Sequence, residues 1–258
     1  MSEKEWPAND YAIGSYIQAT VAEKYLSDLE LKPSDKVLDI GCGNGAFTKN
    51  ILAKTPSGSV LGIDSSQNML DLAQEVSKEY PNFLTQKSDV LTMEFSDQFD
   101  YAVSFWCLQW ASSDIEKAFS NILKALKSQG KFFTLFPAGD DPFILSFYAL
   151  RRSGQFPSLK DFNPPVDYSN LDNLQRKLNS LPCKSLTVNL CQESIMLPSL
   201  DVFRKFVNGI GFYQGQLSVA EIQDINEAMV SYYENECKKK HLSQYPFDFS
   251  IYLVKGEK

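Results

Sequence analysis

Short apolar runs alternate with helix-period stretches over the first half of the chain. Val37, Leu38 and Ile40 form a compact run that Gly41 stops, and Val60 to Ile63 form a second that ends on Asp64. A third run, strongly apolar after Asp100, covers residues 99–105, and a fourth covers 131–136. Runs of this length between turn residues predict strands buried on both faces of a parallel sheet. Between them, apolar residues recur at helical spacing. Phe47, Ile51 and Leu52 follow the glycine turn; Met69, Leu70, Leu72, Ala73 and Val76 follow Ser66, a good N-cap, and Pro81 stops them. Ile115, Ala118, Phe119, Ile122, Leu123 and Leu126 follow Ser113 or Asp114 as cap, with Gly130 as the stop. A weak strand over 82–85 leads into Ser88-Asp89-Val90. This alternation predicts a doubly wound α/β sheet, whose right-handed crossovers put a ligand at the carboxyl ends of the strands.

The flanks follow other rhythms. Ile13, Ile17, Val21, Ala22, Tyr25, Leu26 and Leu29 fit one face of a helix over 11–29, expected across the mouth of the ligand site. Before it, residues 1–8 read as an arm with Trp6-Pro7 as an anchor. Past Pro137, Gly139-Asp-Asp-Pro142, Pro157 and Asn163-Pro-Pro165 interrupt short helical pieces near 143–152 and 171–181. A strand over 185–197, helices near 199–208 and 218–240, and an alternating segment over 247–254, expected as an antiparallel edge strand, complete the chain. The reading is one domain: a cap helix over 1–30, a ligand-binding core over 31–136, a lid insertion over 137–184, and strands and helices over 185–258.

Composition narrows the class. With 258 residues, 43% hydrophobic and 22% charged, the chain can bury a full core. Its net charge of −7 argues against nonspecific nucleic-acid binding and stable membrane association, which need a basic face. No apolar stretch approaches the ~20 residues of a membrane helix, and no signal-peptide pattern opens the sequence, so a cytoplasmic location is expected. Five scattered cysteines and one histidine offer no metal-ligand spacing, and none is expected to hold a metal.

The stretch KVLDIGCGNGAFT over 36–48 carries the candidate chemistry. Gly41, Gly43 and Gly45 let a backbone turn approach a ligand at a helix N-terminus, as in nucleotide cradles. Gly41, Gly43 and Ala46 also satisfy the relaxed dinucleotide pattern. Asp39 tips the balance, because a carboxylate before the turn repels a pyrophosphate and suits a cationic ammonium or sulfonium. Asp64, at the end of the next strand, can accept ribose hydroxyls. VLDIGCGNG and VLGIDSSQNML resemble the first motif and acidic strand end of the class I S-adenosylmethionine-dependent methyltransferases. That resemblance implies a mostly parallel seven-stranded Rossmann-like sheet with an antiparallel last strand, and S-adenosylmethionine as cofactor. It implies that Asp39, Gly41 and Gly43 hold the methionine end and that Asp64 binds ribose. Ser65 and Met69 would flank the adenine, with Asp89 and Val90 at its amino edge. Phe105 stands where relatives often carry a polar residue at the cofactor.

The segment FDYAVSFWCLQW over 99–110 resembles the trans-aconitate and juvenile-hormone-acid methyltransferases, as do Tyr11 and Ser15-Tyr16-Ile17-Gln18. That likeness implies an acceptor pocket lined by Gln18 and Trp110, and Tyr11 joins them as a pocket aromatic. Gln109-Trp110 also reads as a packing pair. Methyl transfer to an ionised carboxylate needs alignment and dryness more than acid–base groups, so no catalytic residue is assigned. The arginines are Arg151, Arg152, Arg176 and Arg204, and Arg151-Arg152 would clamp an acceptor carboxylate. The expected activity is O-methylation of a small-molecule carboxylate. A malonyl-carrier-protein or quinone/sterol-type methyltransferase, a non-catalytic S-adenosylmethionine-binding protein and a nicotinamide-dependent oxidoreductase stay open as alternatives. The sequence is silent on oligomeric state.

Overall fold

The computed structural model describes residues 16–242 and 244–258. The apolar runs pair as the sequence predicts. β1 (Lys36–Ile40), β2 (Ser59–Asp64), β3 (Phe83–Lys87), β4 (Phe99–Phe105) and β5 (Leu126–Pro137) lie parallel. β6 (Ser185–Leu197) and β7 (Tyr245–Glu257) join antiparallel, giving a seven-stranded sheet of order β3-β2-β1-β4-β5-β7-β6. The order reverses between β1 and β4, which opens a crevice at the carboxyl ends of those strands.

Alternate residues of each central strand enter different cores. Val37, Val103, Phe133 and Leu135 pack with α1 (Tyr16–Lys24), α2 (Thr48–Lys54), α3 (Gln67–Glu79) and the helices that follow β5 and β6. Leu38, Ala102, Phe132 and Phe136 face the other way, against α4 (Ile115–Ala125) and α6 (Leu174–Leu178). Both faces of the central strands β1 and β4 are therefore dry, and this is why they read as continuous apolar runs. α5 (Pro142–Ser153), α7 (Leu200–Gly209) and α8 (Val219–Lys239) build an aromatic-rich layer on the first face. α8 opens with a reciprocal capping box between Ser218 and Glu221.

Three local expectations are corrected. Gly130 does not stop a helix: Leu126 leaves it in extended conformation and pairs with Phe99, so β5 begins there. The left-handed residue in that stretch is Gln129, at φ 63°. The segment over 247–254 is no edge strand, because β7 is buried between β5 and β6, and β6 forms the edge. Finally, the cap helix is α1, followed by a 3₁₀ turn over Leu26–Asp28; the start expected at Tyr11 lies outside the described residues, as does the Trp6-Pro7 anchor. Glu193 of β6 ties α1 down, accepting from Lys24 Nζ at 2.6 Å and Tyr25 Oη at 2.5 Å. No helix among the described residues is long and apolar enough to cross a membrane.

Candidate cofactor and acceptor site

At the end of β1 the chain turns through Gly41, Gly43 and Gly45, all left-handed at φ 74°, 54° and 76°. The turn is stapled to β2, since Gly41 N and Cys42 N both donate to the Ile63 carbonyl at 2.8 and 3.0 Å. A Cβ on Gly41 would stand 2.5 Å from Cys107 Sγ, so two strand ends meet there with no room to spare. A Cβ on Gly43 would meet nothing within 4 Å, and Gly43 lines a cavity. The glycine at 41 is a packing requirement. The one at 43 leaves an open cradle.

Asp64 closes that cradle. Its Oδ2 accepts from Gly43 N at 3.0 Å and its Oδ1 from Ser66 N at 2.9 Å, so one carboxylate fixes both the glycine turn and the start of α3. Ser66 caps α3 in turn, accepting from Met69 N. At the end of β3, Asp89 Oδ1 accepts from Leu91 N at 2.8 Å, and Asn121 of α4 holds the Val90 carbonyl at 2.8 Å. Gly41, Gly43, Asp64, Ser65, Met69, Asp89, Val90 and Phe105 all line one cavity of about 330 Å³, within the range of small-molecule sites. Asp39 does not line it. It sits 4% exposed behind the turn, where Thr48 Oγ1 donates to it at 2.6 Å. Burial pushes its carboxyl up to about 7, the Asp64 charge adds to this, and the Thr48 hydrogen bond opposes it.

The same cavity continues past β4. Trp106 is left-handed at φ 59°, costly for a bulky residue, and is braced on three sides. Its backbone N donates to the Leu135 carbonyl at 2.8 Å, its indole Nε1 to the Gln18 carbonyl at 3.1 Å, and its own carbonyl accepts from Gln109 Nε2 at 2.9 Å. α1 is thereby drawn across the loop, and Gln18, Trp106, Gln109 and Trp110 all reach the cavity. The far wall comes from Asp141, Phe143 and Ile144 at the start of α5, from Val166 and Tyr168, and from Phe206, Phe212, Phe247 and Phe249. Asp141 caps α5, accepting from Phe143 N and Ile144 N, and burial pushes its carboxyl up to about 6 against those bonds. Burial, with the charges of Asp64, Asp89 and Asp39, also pushes the Cys107 thiol up, so it stays protonated and unreactive.

Of the expected acceptor residues, Gln18 and Trp110 come together in the wall, and Tyr11 lies outside the described residues. Phe147, on α5, is core and does not line the cavity, ringed by Phe162, Phe212 and Tyr213. Arg151 and Arg152 do not clamp the cavity: Arg151 Nη2 donates to the Lys160 carbonyl at 3.0 Å on the outside of α5. Asp141, Tyr168 and the phenylalanines of α7 and β7 escape sequence reasoning. Only Asp141-Pro142, an N-cap followed by a first-turn proline, left a readable signal.

Known proteins fit this geometry. Residues 37–130 match the family model described as "Methyltransferase domain". A putative methyltransferase 235L of Invertebrate iridescent virus 6 is 28% identical over 64% of this chain and 61% of its own length. A trans-aconitate 2-methyltransferase of Deinococcus radiodurans is 32% identical over 43% of this chain and 41% of its own. The chain thus spans less than two thirds of these curated relatives. Among solved structures, the YcgJ protein of Bacillus subtilis superposes with a TM-score of 0.61 at 18% identity, over 93% of this chain and 98% of that one. The phosphoethanolamine N-methyltransferase 2 of Haemonchus contortus, solved with S-adenosyl-L-methionine, gives 0.56 at 20% identity over 93% of this chain and 52% of that one. At these identities the structural likeness speaks for the fold.

Proposed function

We propose that this protein, a class I methyltransferase in fold and in the match over residues 37–130, binds S-adenosylmethionine and methylates a small-molecule acceptor. The observation that carries this is a single continuous cavity. It runs from the open cradle at Gly43 and the carboxylates ending β2 and β3 to the aromatic loop after β4. The Haemonchus contortus structure, solved with the same cofactor, supports the ligand. In this reading Gly41 and Gly43 face the methionine end, and Asp64 takes the ribose. Ser65 and Met69 flank the adenine, Asp89 and Val90 meet its amino edge, and Phe105 packs beside it. Asp39 acts through space: the negative charge it takes on as pH rises through about 7, close to that of Asp64, favours a cationic ligand.

Bound there, S-adenosylmethionine supplies an electrophilic methyl group on a sulfonium. The chain's own task is to hold the acceptor in line and keep water out. Gln18 and Trp110 line the acceptor end, with Tyr11 as a further candidate, and residues 137–184 serve as its lid. No side chain needs to act as nucleophile. Burial holds the Tyr168 phenol well above its ordinary range, so it is no base for a C-methylation.

The finer reading, O-methylation of a carboxylate, has support in the Leu108-Gln109-Trp110 resemblance and in the Deinococcus radiodurans relative's name. Against it stands the charge of the cavity, whose described lining holds Asp64, Asp89 and Asp141 and no lysine, arginine or histidine. Calorimetric titration with S-adenosylmethionine and S-adenosylhomocysteine, with NAD as control, tests the main reading. Micromolar binding of the first two and none of NAD is expected. Binding of NAD alone, or of none of the three, refutes it.

A further inference from the structure

We infer, resting on the reading of this cavity as a methyl-transfer site, that its acceptor compartment recognises an uncharged or cationic, largely apolar molecule through a hydrogen bond which that molecule donates. A phenol, an alcohol or an amine fits. A carboxylate does not.

The first observation is a pair of buried carbonyl oxygens. Gln18 Oε1, on α1, and Gln109 Oε1, in the loop after β4, are both buried without a hydrogen-bond partner among the described residues, and both residues line the cavity. The orientation of Gln109 is fixed by its other half. Its Nε2 donates at 2.9 Å to the Trp106 carbonyl, an acceptor that an amide oxygen could not serve, so the amide cannot be flipped. The residue as a whole is 6% exposed. A buried acceptor left in this state destabilises the protein until something donates to it. Trp106 adds to the case: its left-handed backbone is held by the same Gln109 bond and by the Gln18 carbonyl, so the strained loop and both orphan oxygens are one assembly. Strain of this kind persists where the surroundings over-determine it, and it clusters at ligand clamps.

The second observation is charge. Every ionisable group on the described lining is an acid, a thiol or a phenol: Asp64, Asp89, Asp141, Cys107 and Tyr168. Arg151 is spent on the Lys160 carbonyl and Arg204 on Glu227, and neither Arg152 nor Arg176 is in the described lining. A carboxylate acceptor would bring a further negative charge into a low-dielectric space, with no cation from the described wall to meet it and no proton to offer either glutamine. The remaining wall is aromatic and aliphatic, with Phe143, Ile144, Phe206, Phe212, Phe247 and Phe249 around it, which suits a hydrophobic body behind one polar end.

A matched set of ligands tests this on the full-length protein saturated with S-adenosylhomocysteine: 4-butylphenol, 4-butylaniline, 4-butylanisole and 4-butylbenzoate, titrated calorimetrically. The phenol and aniline are expected to bind about tenfold tighter than the anisole, which lacks the donor, and tighter still than the benzoate. Gln109→Leu is expected to bring phenol and anisole to near parity, and Gln18→Leu serves where the first variant does not fold. Benzoate binding as tightly as phenol overturns the inference, and so does binding of none of the four to a protein that holds S-adenosylhomocysteine. Failure to bind S-adenosylhomocysteine itself strikes the proposed function instead.

Discussion

Asp64→Ala removes a carboxylate that has two tasks, and the two have separable readouts. In the folded protein its oxygens accept from Gly43 N and Ser66 N at 3.0 and 2.9 Å. Hydrogen bonds to a charged group contribute about 1.5–3 kcal/mol each when both partners are dry. Here the group is half-buried, so water recovers part of the loss. A stability loss of about 2 kcal/mol is therefore expected, seen as a Tm lower by about 4–8 °C at this size. If the same carboxylate also receives ribose hydroxyls, the affinity for S-adenosylhomocysteine should fall by a further ~2–3 kcal/mol, or about 30–150-fold. Asp64→Asn keeps one amide oxygen, enough for one of the two backbone donors, and should land between wild type and Ala in both assays. Calorimetry and urea unfolding on the three proteins decide the matter. A variant that loses the stability but binds S-adenosylhomocysteine within threefold of wild type would reduce Asp64 to a brace for the turn and refute its place at the ribose.

Two further outcomes follow from the same turn. Gly41→Ala places a Cβ 2.5 Å from Cys107 Sγ at φ 74°, so a loss of about 2–4 kcal/mol in urea unfolding is expected. The double variant with Cys107→Ala should recover part of it, and a loss below about 0.5 kcal/mol in the single variant would contradict the close approach. Asp39, raised from 3.8 to about 7, binds a proton in the native state that the unfolded chain has already released between these values. Native protein then holds more protons, so this group's share of stability is fullest below pH 4 and is lost as pH rises toward 7, by at most about 4 kcal/mol. Asp39→Asn should flatten the pH–stability curve over that window relative to wild type; parallel curves would show that the carboxyl is ionised throughout.

The half of the molecule that carries the glycine turn was legible because its central strands β1, β2 and β4 are largely buried and bounded by residues with one structural meaning. Val37 to Ile40, Gly41, Ser66 and Asp64 each stand where local chemistry puts them. Charge reasoning found Asp39 but not its position behind the turn, since nothing local announces the Thr48 hydroxyl that takes it. Gly130 misled as a helix stop because the decision belongs to Leu126, whose partner Phe99 lies across the sheet. Gln109 and Trp110 read as pocket with packing as the rival, and the three-way bracing of Trp106 and the shared cavity bear on the choice. The aromatic wall from α7 and β7 was invisible for another reason: apolar residues look alike in sequence, and it takes the fold to show which of them border empty space.

The position of β7 bears on how the molecule is made. It sits between β5 and β6, yet it follows both in the chain, so as the polypeptide leaves the ribosome β6 appears first and has nothing to pair with. Until residues 245–257 arrive, two open edges wait side by side: the flank of β5 and the whole length of β6, with Leu190 and Met196 facing solvent even in the finished fold. Strand edges held open during synthesis are places where a nascent chain pairs with a neighbour. Pairing β7 with β5 also closes a loop of more than a hundred residues, 138–244, late in folding, a slow step by topology alone. Temperature and crowding during expression should therefore govern the yield of this protein more than the stability of its finished sheet.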